Sequence, residues 1–137
     1  MKSSFDLLFV SDRDVAEIPM GFNSKEEEII FLIREAGCKE HEKSQRKHAK
    51  ELERTRKNDK LYDRVLCKII AESILVGWKN VLDEDGEILD ATYQNKFDAL
   101  LKYKKLRAAV MDAATDESFF KDDEMDQEEG EVDTEKN

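Results

Sequence analysis

The chain predicts a mainly α fold: a small helical domain with a short N-terminal β element, a β-turn or hairpin near 79–89, and a disordered acidic C-terminal tail. Three observations lead there. Leu61, Val65, Leu66, Ile69, Ile70, Ile74 and Leu75 recur at three- and four-residue steps, the spacing of one helical face. Residues 39–60 lack Pro and Gly and are rich in Lys, Glu, Arg, Gln and Ala, all good helix formers. In a chain that is 41% charged, the apolar residues gather in four runs (5–10, 29–36, 61–82 and 97–120), and the segment from Lys121 onward is acidic with almost no apolar partners. A length of 137 residues fits one α-rich domain, 1–120, with the tail at 121–137.

Taken in order, Phe5, Leu7 and Phe9 alternate with Asp6 and Leu8, which favours a short strand, and Ile18 is a candidate for its partner. Pro19 and Gly21 punctuate the segment. Ser24-Lys25-Glu26-Glu27 has the capping-box pattern, and the apolar run Ile29, Ile30, Leu32, Ile33 and Ala36 comes after it, so a first helix is expected over 25–36 with Gly37 as its stop. The 39–60 helix is polar all round, with Ala49 and Leu52 almost alone, and should project into solvent or wait for a partner. The amphipathic helix from Leu61 ends near Gly77-Trp78. Asp85-Gly86 then supplies a tight turn between Val81 and Ile88. Thr92 or Asp90 caps a helix carrying Phe97, Leu100, Leu101 and Leu106. Arg107 to Ala114 adds Val110 and Met111, and Thr115-Asp116 caps a last short piece.

Composition excludes several classes of function. The formal net charge is −10, with a sequence pI near 4.8 and a mean hydropathy of −0.73. Lys39 to Lys60 holds nine Lys/Arg against five Asp/Glu, and Glu117 to Asn137 ten Asp/Glu against two Lys, so a basic helix is balanced by an acidic tail. The whole-chain charge argues against general nucleic-acid affinity. No run approaches the roughly 18 apolar residues of a membrane span, so no membrane partner is expected. Cys38 and Cys67 make no disulfide framework and fit reduced thiols in a cytoplasm.

Chemistry-bearing patterns are sparse. Cys38, His41, His48 and Cys67 match no familiar zinc spacing. Asp83-Glu84-Asp85-Gly86-Glu87 resembles a calcium loop only until Gly86 is set at position six, which leaves Val81 and Thr92 where carboxylates are needed. The five glycines are isolated, no phosphate loop is present, and no nucleophile–base–orienter set is visible. The expectation is a non-enzymatic protein with no catalytic residues, cofactor or metal. Arg46, Lys47, Lys50, Arg54 and Lys57 fall at spacings that make one basic face, read as a solvated, salt-bridged helix, as a protein-partner contact or as a nucleic-acid phosphate contact.

The segment from Leu66 to Phe120 resembles the small tail assembly chaperones and related tail-cluster proteins of tailed bacteriophages. The resemblance lies in Val76-Gly77-Trp78-Lys79-Asn80-Val81, the turn Asp83-Glu84-Asp85-Gly86, Ile88-Leu89, the cap Thr92-Tyr93-Gln94-Asn95, Phe97 to Leu101, and Ala113-Ala114-Thr115-Asp116-Glu117-Ser118-Phe119. Phe31-Leu32-Ile33-Arg34-Glu35-Ala36-Gly37 and the Phe5/Leu7/Phe9 strand are similar to that group as well. The chain departs from it in lacking a Pro at Leu89-Asp90-Ala91 and in its longer, more basic 39–60 segment. The resemblance implies a protein that holds the tape measure protein, and recruits tail tube protein, during tail morphogenesis in the host cell cytoplasm. Ile69, Ile70, Ile74 and Trp78 would then cover an apolar stripe of the partner, with Arg46, Lys50 and Arg54 as a polar contact, and the modest core invites self-association. Gly77, Trp78, Asp85, Gly86 and Phe97 would be structural. The competing reading is a structural virion component, such as a head–tail connector or tail-completion protein; a nucleic-acid-binding regulator ranks third.

Overall fold

The computed structural model describes residues 15–120. The expected Phe5/Leu7/Phe9 strand and acidic tail lie outside that range. Within it the fold is mixed α/β, which corrects the mainly α expectation. A three-stranded antiparallel sheet, β1 (Val15–Phe22), β2 (Glu28–Arg34) and β3 (Leu75–Lys79), runs in the order β1-β2-β3. Five α-helices complete the described fold: α1 (Lys39–Lys47), α2 (Ala49–Arg54), α3 (Asp59–Ile69), α4 (Tyr93–Lys102) and α5 (Lys104–Ala114). A π-helical turn, Ile70–Ile74, succeeds α3, and a 3-10 turn, Glu117–Phe119, succeeds α5.

The largest correction is at 25–36, which holds the end of a hairpin turn and strand β2 (Glu28–Arg34) and no helix. The reason is local. Asn23 N donates to Glu27 O and Glu26 N to Asn23 O, while Asn23 Oδ1 accepts from the amides of Lys25 and Glu27. This asparagine-built turn leaves Ser24 no helix to cap. The run Glu28-Ile-Ile-Phe-Leu-Ile-Arg34 is too short and too β-branched for a helix once a turn precedes it. Phe31 and Ile33 point into the core, at 5% and 0% exposure, and their neighbours Ile30 and Leu32 are half-buried.

The same turn occurs again at the predicted hairpin. Asp83 N donates to Glu87 O and Gly86 N to Asp83 O, and Asp83 Oδ1 accepts from Asp85 N and Glu87 N. The left-handed residue is Gly86 (φ 81°) here and Glu26 (φ 64°) in the first turn. Glycine adopts that conformation without the steric cost a side chain brings, and so only the second turn announces itself in the sequence. Leu82 pairs with Ile88, and Leu89 N donates to Val81 O.

A second correction is that the amphipathic α-helix stops at Ile69, well short of Trp78, and the chain then turns to strand without a loop. The π turn Ile70–Ile74 runs directly into β3, whose register against β2 shifts between Leu32↔Gly77 and Ile33↔Leu75. Such a junction strands backbone carbonyls that basic side chains satisfy. Arg34 Nη1 donates to Ser73 O (3.3 Å), and Lys96 Nζ donates to Leu75 O (2.8 Å) and Val76 O (3.4 Å). Burial, then the nearby Arg34 charge, lowers the Lys96 pKa from its ordinary value.

Third, the long helix over 39–60 is two shorter ones, broken at His48 and ending at Arg54. It does not project into solvent all round. His41 and Ser44 are buried, and His48 and Leu52 are partly so.

The core lies between one face of the sheet and the helices. Ile18, Phe31, Ile33, Leu75 and Trp78 of the sheet meet Cys67, Ile70, Ala71 and Ile74 of α3 and the π turn, and Phe97, Leu100, Val110, Ala113 and Ala114 of α4 and α5. Thr92 caps α4 by accepting from Asn95 N, and Asp116 caps the last turn by accepting from Ser118 N. Ala36 N donates to Ala114 O (2.8 Å), and Arg107 bridges to Asp63 (3.3 Å); these contacts pin α5 to the end of β2 and to α3. No helix among the described residues is long and apolar enough to cross a membrane.

Candidate binding cleft at the Trp78 corner

Trp78 is the penultimate residue of β3 and is only 9% exposed. Its ring lies against Phe31, centroids 5.6 Å apart and tilted by 42°, and its indole N–H donates to Leu89 O at 2.7 Å. That bond fixes the returning arm of the Asp83 hairpin over the sheet. Asn95 Nδ2 donates to Asp90 O (2.9 Å) and ties the same arm to the first turn of α4. Between hairpin, α4 and the start of α5 lies a cleft of about 490 Å³. Phe31, Trp78, Val81, Leu82, Leu89, Ala99 and Leu106 supply apolar lining, and Asp83, Glu84, Asp85 and Asp98 are exposed acidic groups on it. Lys102 is its one lining cation, with its ammonium 5.3 Å from the centroid of the Tyr103 ring, and Tyr103 is itself 54% exposed. Size and lining suit side chains of a docked polypeptide.

The predicted site residues are scattered across the fold. Ile69, Ile70 and Ile74 are 2%, 6% and 0% exposed. They form the protein's own core, so the apolar stripe read as a partner face is already covered by the sheet and α4. Trp78 and Asp85 line the cleft. Asp85 shapes its turn less than Asp83 does, because the Asp83 carboxylate takes the two amide bonds. Gly86 provides the positive φ. Gly77 is buried with ordinary φ, and a Cβ there would sit 3.6 Å from Leu32 Cδ1 and 3.8 Å from Ala91 Cβ, normal contact distances. Phe97 is buried, stacked on Tyr93 and covered by the Arg64 guanidinium 5.3 Å from its centroid. Arg46, Lys50 and Arg54 are exposed on α1 and α2 and make no salt bridge among the described residues.

Instead, other members of the basic segment join it to the π turn. Glu72 Oε1 accepts from Ser44 Oγ (2.6 Å) and His48 Nε2 (3.0 Å), and Glu72 Oε2 from Lys47 Nζ (3.0 Å). Lys68 donates to Glu51 at 2.9 Å. Burial opposes ionisation of Glu72, but the bonds from Ser44, Lys47 and His48 outweigh it and hold the carboxyl below its ordinary range. The Lys68 bond does the same for Glu51. His41 differs: burial lowers its pKa, and its Nδ1 accepts from Gly37 N at 2.9 Å, so it is held neutral.

These shifts set a pH dependence. A lowered histidine pKa means the unfolded chain takes up the proton first, so stability falls as pH drops below about 6.5 towards the folded pKa. Glu51 and Glu72 contribute fully above about 4.3 and lose that contribution as pH falls through their folded values. In urea unfolding followed from neutral pH downward, His41→Asn, whose Oδ1 can replace the Nδ1 acceptor, should lose less stability than the parent through the upper window and the same amount in the lower one. Parallel curves in both windows would contradict the assignment to His41.

Cys38 and Cys67 have thiol pKa values raised by burial, and among the described residues no three His, Cys, Asp or Glu side chains gather in a metal-holding group. Leu89 and Leu106 figured in the sequence as parts of the turn and the helix, but no pattern assigned them, or Leu82, Asp98 or the Glu72 network, to a site. Only the Trp78 to Gly86 corner pointed to the region.

Comparison with curated proteins and with solved structures returns no match. One family model does match, over residues 36–131, which is well over half of the chain and takes in every cleft residue except Phe31; it is described as YdaY prophage protein. The chain therefore belongs to the YdaY prophage protein family.

Proposed function

We propose that this prophage protein is a non-enzymatic assembly chaperone that binds the tape measure protein, and tail tube protein in turn, during tail morphogenesis in the host cytoplasm. The observation that carries the reading is the apolar cleft at the Trp78 corner. It is built almost wholly from the segment that matches the prophage family and that resembles tail assembly chaperones in sequence. A protein of this size that leaves an apolar cleft open beside an exposed aromatic ring, Tyr103, has the surface of a binding module. Its exposed, charged helices α1 and α2 would keep an aggregation-prone client in solution.

Co-expression with the tape measure protein of the same prophage tests this. The expected result is a soluble complex that survives purification, with the chaperone missing from finished particles by mass spectrometry. An insoluble tape measure protein with no co-purification would overturn the proposal, as would stoichiometric presence in the virion, which marks a structural component.

A further inference from the structure

We infer that the Trp78 cleft takes an apolar side chain presented on a Lys/Arg-rich segment of the partner protein. This rests on the protein-binding reading above and adds the chemistry of what is bound.

The lining divides into an apolar floor and an acidic rim. Trp78, Leu89 and Leu106 can desolvate one aliphatic or aromatic side chain. Asp83, Glu84 and Asp85 stand on the hairpin lip and Asp98 on the α4 lip. None of the four carboxylates forms a salt bridge among the described residues. Asp83 and Asp98 spend one oxygen each on bonds from within the chain, at 2.8–3.0 Å to Asp85 N and Glu87 N and at 2.8 Å to Gln94 Nε2. Among the described residues the rim thus faces outward with four carboxylates that no salt bridge compensates, against Lys102 as the one cation on the lining.

Charge decides among occupants. The chain's own 121–137 segment carries an excess of Asp and Glu, and the rim repels it. A second copy offers the basic face of Arg46, Lys50 and Arg54, but it brings a net charge of −10 against the same −10, so association between copies works against overall repulsion. A basic segment of another protein is favoured by the rim and by the whole-molecule field together, which steers encounter as well as holding the complex.

The single tryptophan of the chain lies on the cleft floor and reports occupancy directly. Two helical peptides serve as probes, one of Leu and Lys with a single apolar face and its Leu/Glu counterpart. The Leu/Lys peptide should shift Trp78 emission saturably and the Leu/Glu peptide should not. Neutralising the rim in Asp83→Asn, Glu84→Gln, Asp85→Asn and Asp98→Asn together should weaken the Leu/Lys peptide by about tenfold, the order expected from several exposed charge contacts. Asn keeps the Asp83 turn acceptor, as Asn23 does in the first hairpin, and an unchanged urea midpoint confirms the fold. Equal affinity for both peptides, no response to either, or a self-association that the rim substitutions abolish would each overturn the inference. If the neutralised protein still co-purifies the tape measure protein undiminished, the cleft inference fails and the chaperone reading stands. If the peptide occupies the cleft but no tape measure complex forms, the chaperone reading fails and the cleft inference stands.

Discussion

Replacing Trp78 with Ala should cost about 3–5 kcal/mol of folding stability, the range for truncating a buried aromatic side chain. Two losses combine. The ring leaves a void beside Phe31 where it was only 9% exposed, and the Leu89 carbonyl loses its 2.7 Å donor, which loosens the hairpin arm. Trp78→Phe separates the two, because it keeps most of the ring contact and removes the N–H; it should cost about 1–2 kcal/mol. Urea unfolding measures both. With the total stability of a domain this size at about 5–15 kcal/mol, the alanine variant should lie near the edge of folding. A near-neutral Trp78→Ala protein that has lost partner binding would mean the indole is an interface residue and not an anchor.

Ile74→Ala should cost about 2–5 kcal/mol, since Ile74 is fully buried at the end of the π turn where helix becomes strand. This substitution separates the two readings of the apolar stripe. As a core residue, Ile74 should show its effect as a lowered urea midpoint, with binding affinity unchanged under conditions where the variant is folded. Retained stability with weakened binding would return the stripe to the surface and contradict the described packing.

What was legible in the sequence was what local chemistry decides. The Asp83–Glu87 turn, the Thr92 and Asp116 caps and the helices around Phe97, Leu100 and Val110 arise from side chains acting on backbone a few residues away. The strands were not legible in the same way. Ile29 to Ile33 and Leu75 to Trp78 are nearly unbroken apolar runs, which fit a buried strand as well as a helix. Pairing with residues more than forty positions distant, Phe31 with Trp78, settles the matter. The β-branched content of Glu28–Arg34 and the kinship of Asn23-Ser-Lys-Glu-Glu27 with Asp83-Glu-Asp-Gly-Glu87 were the available signals; the first turn hides because Glu26 stands where the second has glycine. The inner face of α1 was invisible to hydrophobic periodicity for another reason. Ser44, Lys47 and His48 dock on Glu72 through hydrogen bonds, so a polar helix packs without an apolar stripe. The cleft draws on β2, β3, the hairpin, α4 and α5, and no spacing in one chain announces such a meeting.

The central claim is that the partner is held at the Trp78 corner while the Ile69–Ile74 stripe serves the fold. Amide hydrogen exchange, compared between the free protein and its complex with the co-purified partner, tests it most directly. Slowed exchange should concentrate in 81–89 and 98–106, with no change across 69–74. Slowing confined to the basic helices at 39–54, with the corner exchanging as in the free protein, would contradict it.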